Sequence, residues 1–212
     1  MQYLTACYGQ QGEEGSSLLL SQFQCRETPV CLAYLACGRA HGENDPGEEP
    51  VGGLRLWCKQ FPWMRAVRRP ERWLERAEGE LVDRVGRPGG GVFCHTLLLA
   101  IGGNLLLLGG GQPVYLVNTA YGRGCAELLR PGFRGSLETG AGILLATPAF
   151  AENLRLDLLG KSLCPAQLRE EARAERRLRE LAEQGGGGGT ACRAGGQPLP
   201  AERAAILLVT RH

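Results

Sequence analysis

Eight short apolar runs, each four to nine residues long and each stopped by glycine, proline or charge, constrain this chain more than any other feature of its sequence. They cover 1–8, 17–23, 29–37, 95–101, 104–108, 114–117, 142–147 and 204–210. Runs of that length with that punctuation are strands, not helices. Gly102-Gly103 separates two of them, which is a two-residue hairpin signal. Gly109-Gly110-Gly111 reads as a second tight turn before 114–117. Together these predict an antiparallel meander.

Two other segments carry a helical period. Residues 70–85 place Trp73, Leu74, Ala77, Leu81, Val82 and Val85 along one face, with Pro70 at the first helical position. Residues 166–184 carry Leu168, Ala172, Leu178, Leu181 and Ala182 amid alternating Glu and Arg, the pattern of an exposed charged helix. A third helix is expected over 52–59. The glycine-rich stretch 185–200 reads as a flexible loop. The acidic stretch 43–49 reads as a surface loop, because it lacks the alternating carboxylates of an EF-hand. Strands at both ends with helices between them argue for one α+β domain over 1–212.

Composition removes several classes of function. Lys+Arg 24 against Asp+Glu 22 leaves a formal charge of +2, too balanced to argue for nucleic acid. No apolar run approaches the roughly 18–20 residues that span a bilayer. The N-terminus has no basic region followed by an apolar stretch, so no signal peptide is read there. The expectation is a soluble, cytoplasmic protein. Nine cysteines, an odd number with no C-x-x-C, fit buried reduced thiols better than zinc ligands or disulfides. Cys25, Cys31 and Cys37 fall at intervals of six, which is not a zinc spacing.

The order of elements resembles the PPM-type, phosphatase 2C-like family of metal-dependent serine/threonine phosphatases, and is closest to the small bacterial members. The resemblance implies a β-sandwich flanked by helices, in α-β-β-α layers. It also implies a pair of Mn or Mg ions held by carboxylates, activating a water toward phosphoserine or phosphothreonine. The family's metal aspartates are what this sequence lacks. The first falls on Ser16 or Ser17 in GQQGEEGSSLLL, and the family's basic phosphate ligand appears as glutamine. The second falls on Cys37 in LAYLACGRAHG. The glycine-rich G-D-S-R becomes Gly110-Gly111-Gln112-Pro113, followed by Val114-Tyr115. The S-D-G after GAGILLA becomes Thr147-Pro148-Ala149, and the closing D-N before AAILLV becomes Ala201-Glu202 or Glu202-Arg203. The matching positions are therefore Ser16, Cys37, Pro148 and Ala201, with Glu202 the one nearby carboxylate. Residues 118–141 are also short where active members carry an insertion. No catalytic residue, no intact metal site and no cofactor are expected: the resemblance implies a pseudophosphatase that binds a protein or phosphoprotein.

Two alternatives follow from the same residues. An active, divergent phosphatase would draw on Asp45, Asp83, Asp157 and Glu202, of which Asp83 and Asp157 sit in or beside helical segments. A structural or assembly module would use the sandwich only for packing. His41 reads as a loop residue, with a ligand role beside Cys37 as the weaker reading. Cys94 and His95 are neighbours on a strand, so their side chains face opposite ways and cannot form a nucleophile–base pair. None of the glycine clusters has the phosphate-loop form. In the aromatic and basic stretch 61–73, tryptophans anchor helices. Trp63, in the turn after Pro62, with Arg65, is the candidate binding surface.

Overall fold

Period-two burial is plainest on β3 (Thr28–Gly38), which follows β1 (Gln2–Gln10) and β2 (Ser17–Cys25). Leu32, Tyr34 and Ala36 face one side of its sheet, while Cys31, Ala33 and Leu35 face the other, and all six are fully buried. A strand buried on both faces lies between two further layers. The chain continues through α1 (Glu48–Gln60), α2 (Trp63–Ala66) and α3 (Pro70–Val85) to β4 (Phe93–Ile101) and β5 (Asn104–Gly110). Next come β6 (Val114–Ala120), β7 (Arg123–Leu129), β8 (Arg134–Ser136) and β9 (Gly142–Ala146). It ends with α4 (Pro148–Ala151), α5 (Leu156–Ser162), a 3₁₀ turn at Pro165–Gln167, α6 (Glu171–Gln184), β10 (Ala191–Cys192), β11 (Pro198–Leu199) and β12 (Arg203–Arg211). The structure is a computed structural model, and it describes residues 1–10, 17–38, 48–85, 93–120, 123–130, 132–152, 154–184, 191–192, 198–199 and 203–211.

Two five-stranded antiparallel sheets result, in the orders β1-β12-β9-β6-β7 and β2-β3-β4-β5-β8. Between them lie Ala33, Leu35, Leu98, Leu105, Ile143 and Ile206. Helices α1 to α3 cover the outer face of the second sheet through Leu54, Trp57, Leu74 and Leu81. Helices α4 to α6 cover the outer face of the first through Phe150, Leu159, Leu178 and Leu181. The expected α-β-β-α layering is present.

Several expectations need correction. The hairpin at Gly102-Gly103 forms, with Ile101 paired to Asn104, but no meander follows. β5 and β6 belong to different sheets. Gly109 (φ +102) and Gly111 (φ +82) take conformations that turn the chain from one sheet to the other. Residues 118–141 build β7 and β8, strands that the sequence reading missed, and α5 was missed as well. The helix expected over 166–184 starts at Glu171, because Pro165 opens a tighter 3₁₀ turn. Within 185–200, Ala191–Cys192 pairs with Pro198–Leu199, and the rest lies outside the described residues. Among the described residues no helix is long and apolar enough to cross a membrane.

Candidate functional site

Strand register brings one end of both sheets together as a rim. In the first sheet Gln10 pairs with Arg203, Ala205 with Ala146, and Leu145 with Val114. In the second, Ser17 pairs with Ala36, Cys37 with Cys94, and His95 with Gly110. The β5–β6 connection crosses between the sheets at this end. There the Ala146 amide donates to the Pro113 carbonyl at 3.2 Å. Cys37 and Cys94 lie in the strand phase of Cys31, Leu35 and Leu98, which face between the sheets. The two half-buried thiols therefore line the inner edge of this rim.

Gln112 joins the two halves of the rim. Its side-chain amide donates to the Cys94 carbonyl at 3.2 Å and to the Cys37 sulfur at 3.6 Å. The residue is 6% exposed, and its Oε1 has no partner among the described residues. Only glycine fits before it: a Cβ on Gly111 would lie 2.6 Å from the Cys94 sulfur. Across the rim Thr147 caps α4. Its Oγ1 accepts from the amides of Phe150 (3.3 Å) and Ala204 (3.1 Å), and Pro148 takes the first helical position, exposed.

Of the sequence-derived site residues, Cys37 and Pro148 are thus found at strand ends of this rim. Ser16, Ala201, Glu202, Asp45 and His41 lie outside the described residues. The other carboxylates considered for an active enzyme lie elsewhere. Asp83 is on α3, outside the second sheet. Asp157 is exposed on α5, outside the first sheet, where Arg155 donates to both its oxygens at 3.1 Å. That guanidinium holds the Asp157 carboxyl below its ordinary range. Asp157 does not reach the space between the sheets.

Trp63 is half-buried rather than exposed. Its indole N–H donates to the Cys58 carbonyl at 2.7 Å, and its ring meets Phe61, Phe23 and Trp57 at 4.6, 5.1 and 5.6 Å. It is half-buried in an aromatic cluster, because the turn at Pro62 folds it back onto α1. Arg65 does stand exposed.

His95 faces the α1–α3 side, its ring 6.4 Å from that of Tyr34. It is 3% exposed, and burial lowers its pKa below the ordinary 6.5 because the charged ring is desolvated. The neutral form is the one the fold accepts. Its contribution to stability is therefore full above about pH 6.5, falls as pH drops below that value, and levels off beneath the folded-state pKa. Melting temperatures between pH 7.5 and pH 5 are expected to decline in the wild type and less steeply in His95→Asn. Equal slopes in the two proteins would rule this out.

No family model matches the sequence, and no curated protein matches it. Solved structures do match. The S. agalactiae serine/threonine phosphatase aligns with a TM-score of 0.58 at 12% identity, over 99% of this chain and 100% of that one. The catalytic domain of the serine threonine protein phosphatase PstP, in complex with 2 manganese ions, aligns with a TM-score of 0.56 at 15% identity, over 99% of each chain. A structure from work on the bacterial stressosome, "a modular system that has been adapted to control secondary messenger signaling", aligns at 0.54 and 16% identity, over 97% and 98%. The likeness is one of fold: this chain has the PPM-type, phosphatase 2C-like architecture. Its described rim does not fit two hard divalent ions. It offers a thiol pair, an amide and a hydroxyl already engaged with two amides, where such ions take carboxylate and other oxygen ligands. No group of three His, Cys, Asp or Glu side chains that could hold a metal ion occurs among the described residues.

Proposed function

We propose that this chain is a phosphatase-like binding domain, a pseudophosphatase that holds a protein or phosphoprotein without hydrolysing it. One observation carries the reading: the described strand ends of the two sheets meet at one rim, and the residues there that the resemblance matches to the family's metal positions, Cys37 and Pro148, are not carboxylates. Two divalent ions brought there would lose hydration without the negative charge that offsets it. Ser16 and Ala201 fill the remaining positions in the alignment, and Glu202 alone cannot hold a dinuclear pair. On this reading no cofactor is needed. The partner is a protein, not nucleic acid or a membrane, in a cytoplasmic and bacterial setting. The fold it shares with serine/threonine phosphatases supports a place in phosphoprotein signalling.

The assay is direct. The metal-stripped protein is incubated with Mn²⁺ or Mg²⁺ and with para-nitrophenyl phosphate or phosphoserine and phosphothreonine peptides. Release of phosphate is expected to match a chelator control, while a phosphopeptide titration followed by fluorescence anisotropy is expected to saturate. Metal-dependent turnover that disappears in Glu202→Gln would establish the active reading in its place.

A further inference from the structure

We propose that Cys37 and Cys94 form a peroxide-sensitive thiol pair that closes to a disulfide across the inner edge of the rim. This site stands whether or not the domain turns over phosphate.

Geometry singles out this pair among the described cysteines. Cys37 and Cys94 are direct register partners on the antiparallel strands β3 and β4. Such partners have Cα atoms about 4.5–5.5 Å apart and side chains on one face. That spacing falls inside the span of about 4.4–6.8 Å that a disulfide bridges. Both are thiols, and both residues are half-buried at the rim rather than sealed in the core. Among the described residues no other cysteine has a cysteine as its register partner, and Cys58 lies on α1. Cys25, Cys31 and Cys164 are buried in the core. Cys7 and Cys125 are exposed, but their register partners are Ile206 and Asn118.

The surroundings equip the pair for the chemistry. The Gln112 amide donates an N–H to the Cys37 sulfur at 3.6 Å, and the same amide holds the Cys94 carbonyl at 3.2 Å, which fixes both residues side by side. Gly111 packs against Cys94 so closely that its own Cβ would lie 2.6 Å from the sulfur, so a side chain there would crowd the thiol. The Cys37 thiolate attacks one oxygen of hydrogen peroxide. The O–O bond breaks, hydroxide leaves and takes a proton as water, and Cys37 becomes a sulfenic acid. The Cys94 sulfur then attacks the Cys37 sulfur, the S–O bond breaks, and the departing hydroxide takes the Cys94 proton. Two thiols are oxidised to one disulfide, and one peroxide is reduced to two waters.

The full chain is treated with hydrogen peroxide, alkylated and analysed by non-reducing peptide mapping. A cross-link between the peptides carrying Cys37 and Cys94, reversed by dithiothreitol, is expected. The oxidised protein is expected to melt several degrees higher, because the cross-link restricts the unfolded chain. In Cys94→Ser, Cys37 is expected to accumulate as a sulfenic acid trapped by dimedone, and the Cys7→Ser/Cys125→Ser protein is expected to form the link normally. Complete alkylation of both Cys37 and Cys94 after peroxide would overturn the proposal. So would oxidation confined to Cys7 and Cys125.

Discussion

Replacing Trp57 with alanine is expected to remove about 3–5 kcal/mol of stability, the usual cost of emptying a large aromatic site. Trp57, on the inner face of α1, is 2% exposed and packs its ring 4.4 Å from Phe61 and 5.6 Å from Trp63. Its indole N–H also donates to Glu80 at 2.9 Å, tying α1 to α3. Glu80 is held below its ordinary pKa first by Arg76 and then by this indole, so it keeps an ion pair at 2.9 Å after the substitution. The loss is therefore one of packing more than of charge. Trp57→Phe keeps ring contacts and loses the hydrogen bond, worth about 0.5–1.5 kcal/mol plus the smaller ring. Against a total of about 5–15 kcal/mol, the alanine variant loses a large fraction of its folded population. Urea titrations read both: the midpoint falls with an unchanged slope. A loss under about 1 kcal/mol in Trp57→Ala would mean that the α1–α3 layer is not packed as described.

The second large effect is at Gly124, on the strand that the sequence hid. A Cβ there would sit 1.8 Å from the Gly160 carbonyl oxygen and 2.8 Å from the Cys164 Cβ. Backbone meets backbone at this crossing of β7 and α5, so no side chain can swing aside. Gly124→Val is expected to push α5 off the sheet and uncover Leu159 and Leu163, both 0% exposed. Each buried leucine is worth about 1.5–3 kcal/mol, so the loss is about 3–6 kcal/mol. Amide exchange is expected to rise throughout α5 before the rest of the chain unfolds. Gly79→Ala on α3, where nothing lies within 4 Å of the new Cβ, is the matched control and is expected to be neutral or stabilising. Equal effects at the two glycines would show that the β7–α5 contact is not close.

Some of the fold and site was legible in the residues alone. The runs 95–101 and 104–108 marked strands, which the structure buries on both faces, and the face of α3 carrying Leu74, Ala77 and Leu81 was visible from its period. In the structure Cys37 lies near the end of β3, and Pro148 opens α4 just past the end of β9. Three things were hidden. β7 reads as RGCAELL, with mostly exposed residues and Leu128 itself 59% exposed, so no apolar alternation announces it. The open edge of β6 pairs it instead. α5, with seven residues, is too short to display a helical period. Trp63 follows a proline turn that looks exposed in sequence, yet its ring finds three aromatic partners that sequence distance conceals.

What the sequence by itself determined is local: which stretches are apolar with period two, which have period 3.6, and where glycine interrupts them. These follow from residue types read over a few neighbours. Sheet membership and register were decided only in the tertiary structure. Gly102-Gly103 and Gly109-Gly110-Gly111 look alike on paper, but the first closes a hairpin and the second carries the chain between sheets. Cys37 and Cys94 are far apart in sequence and become neighbours through one ladder. Pairing of that kind depends on which distant faces bury each other, and a shift of a single residue would turn each thiol to the opposite face.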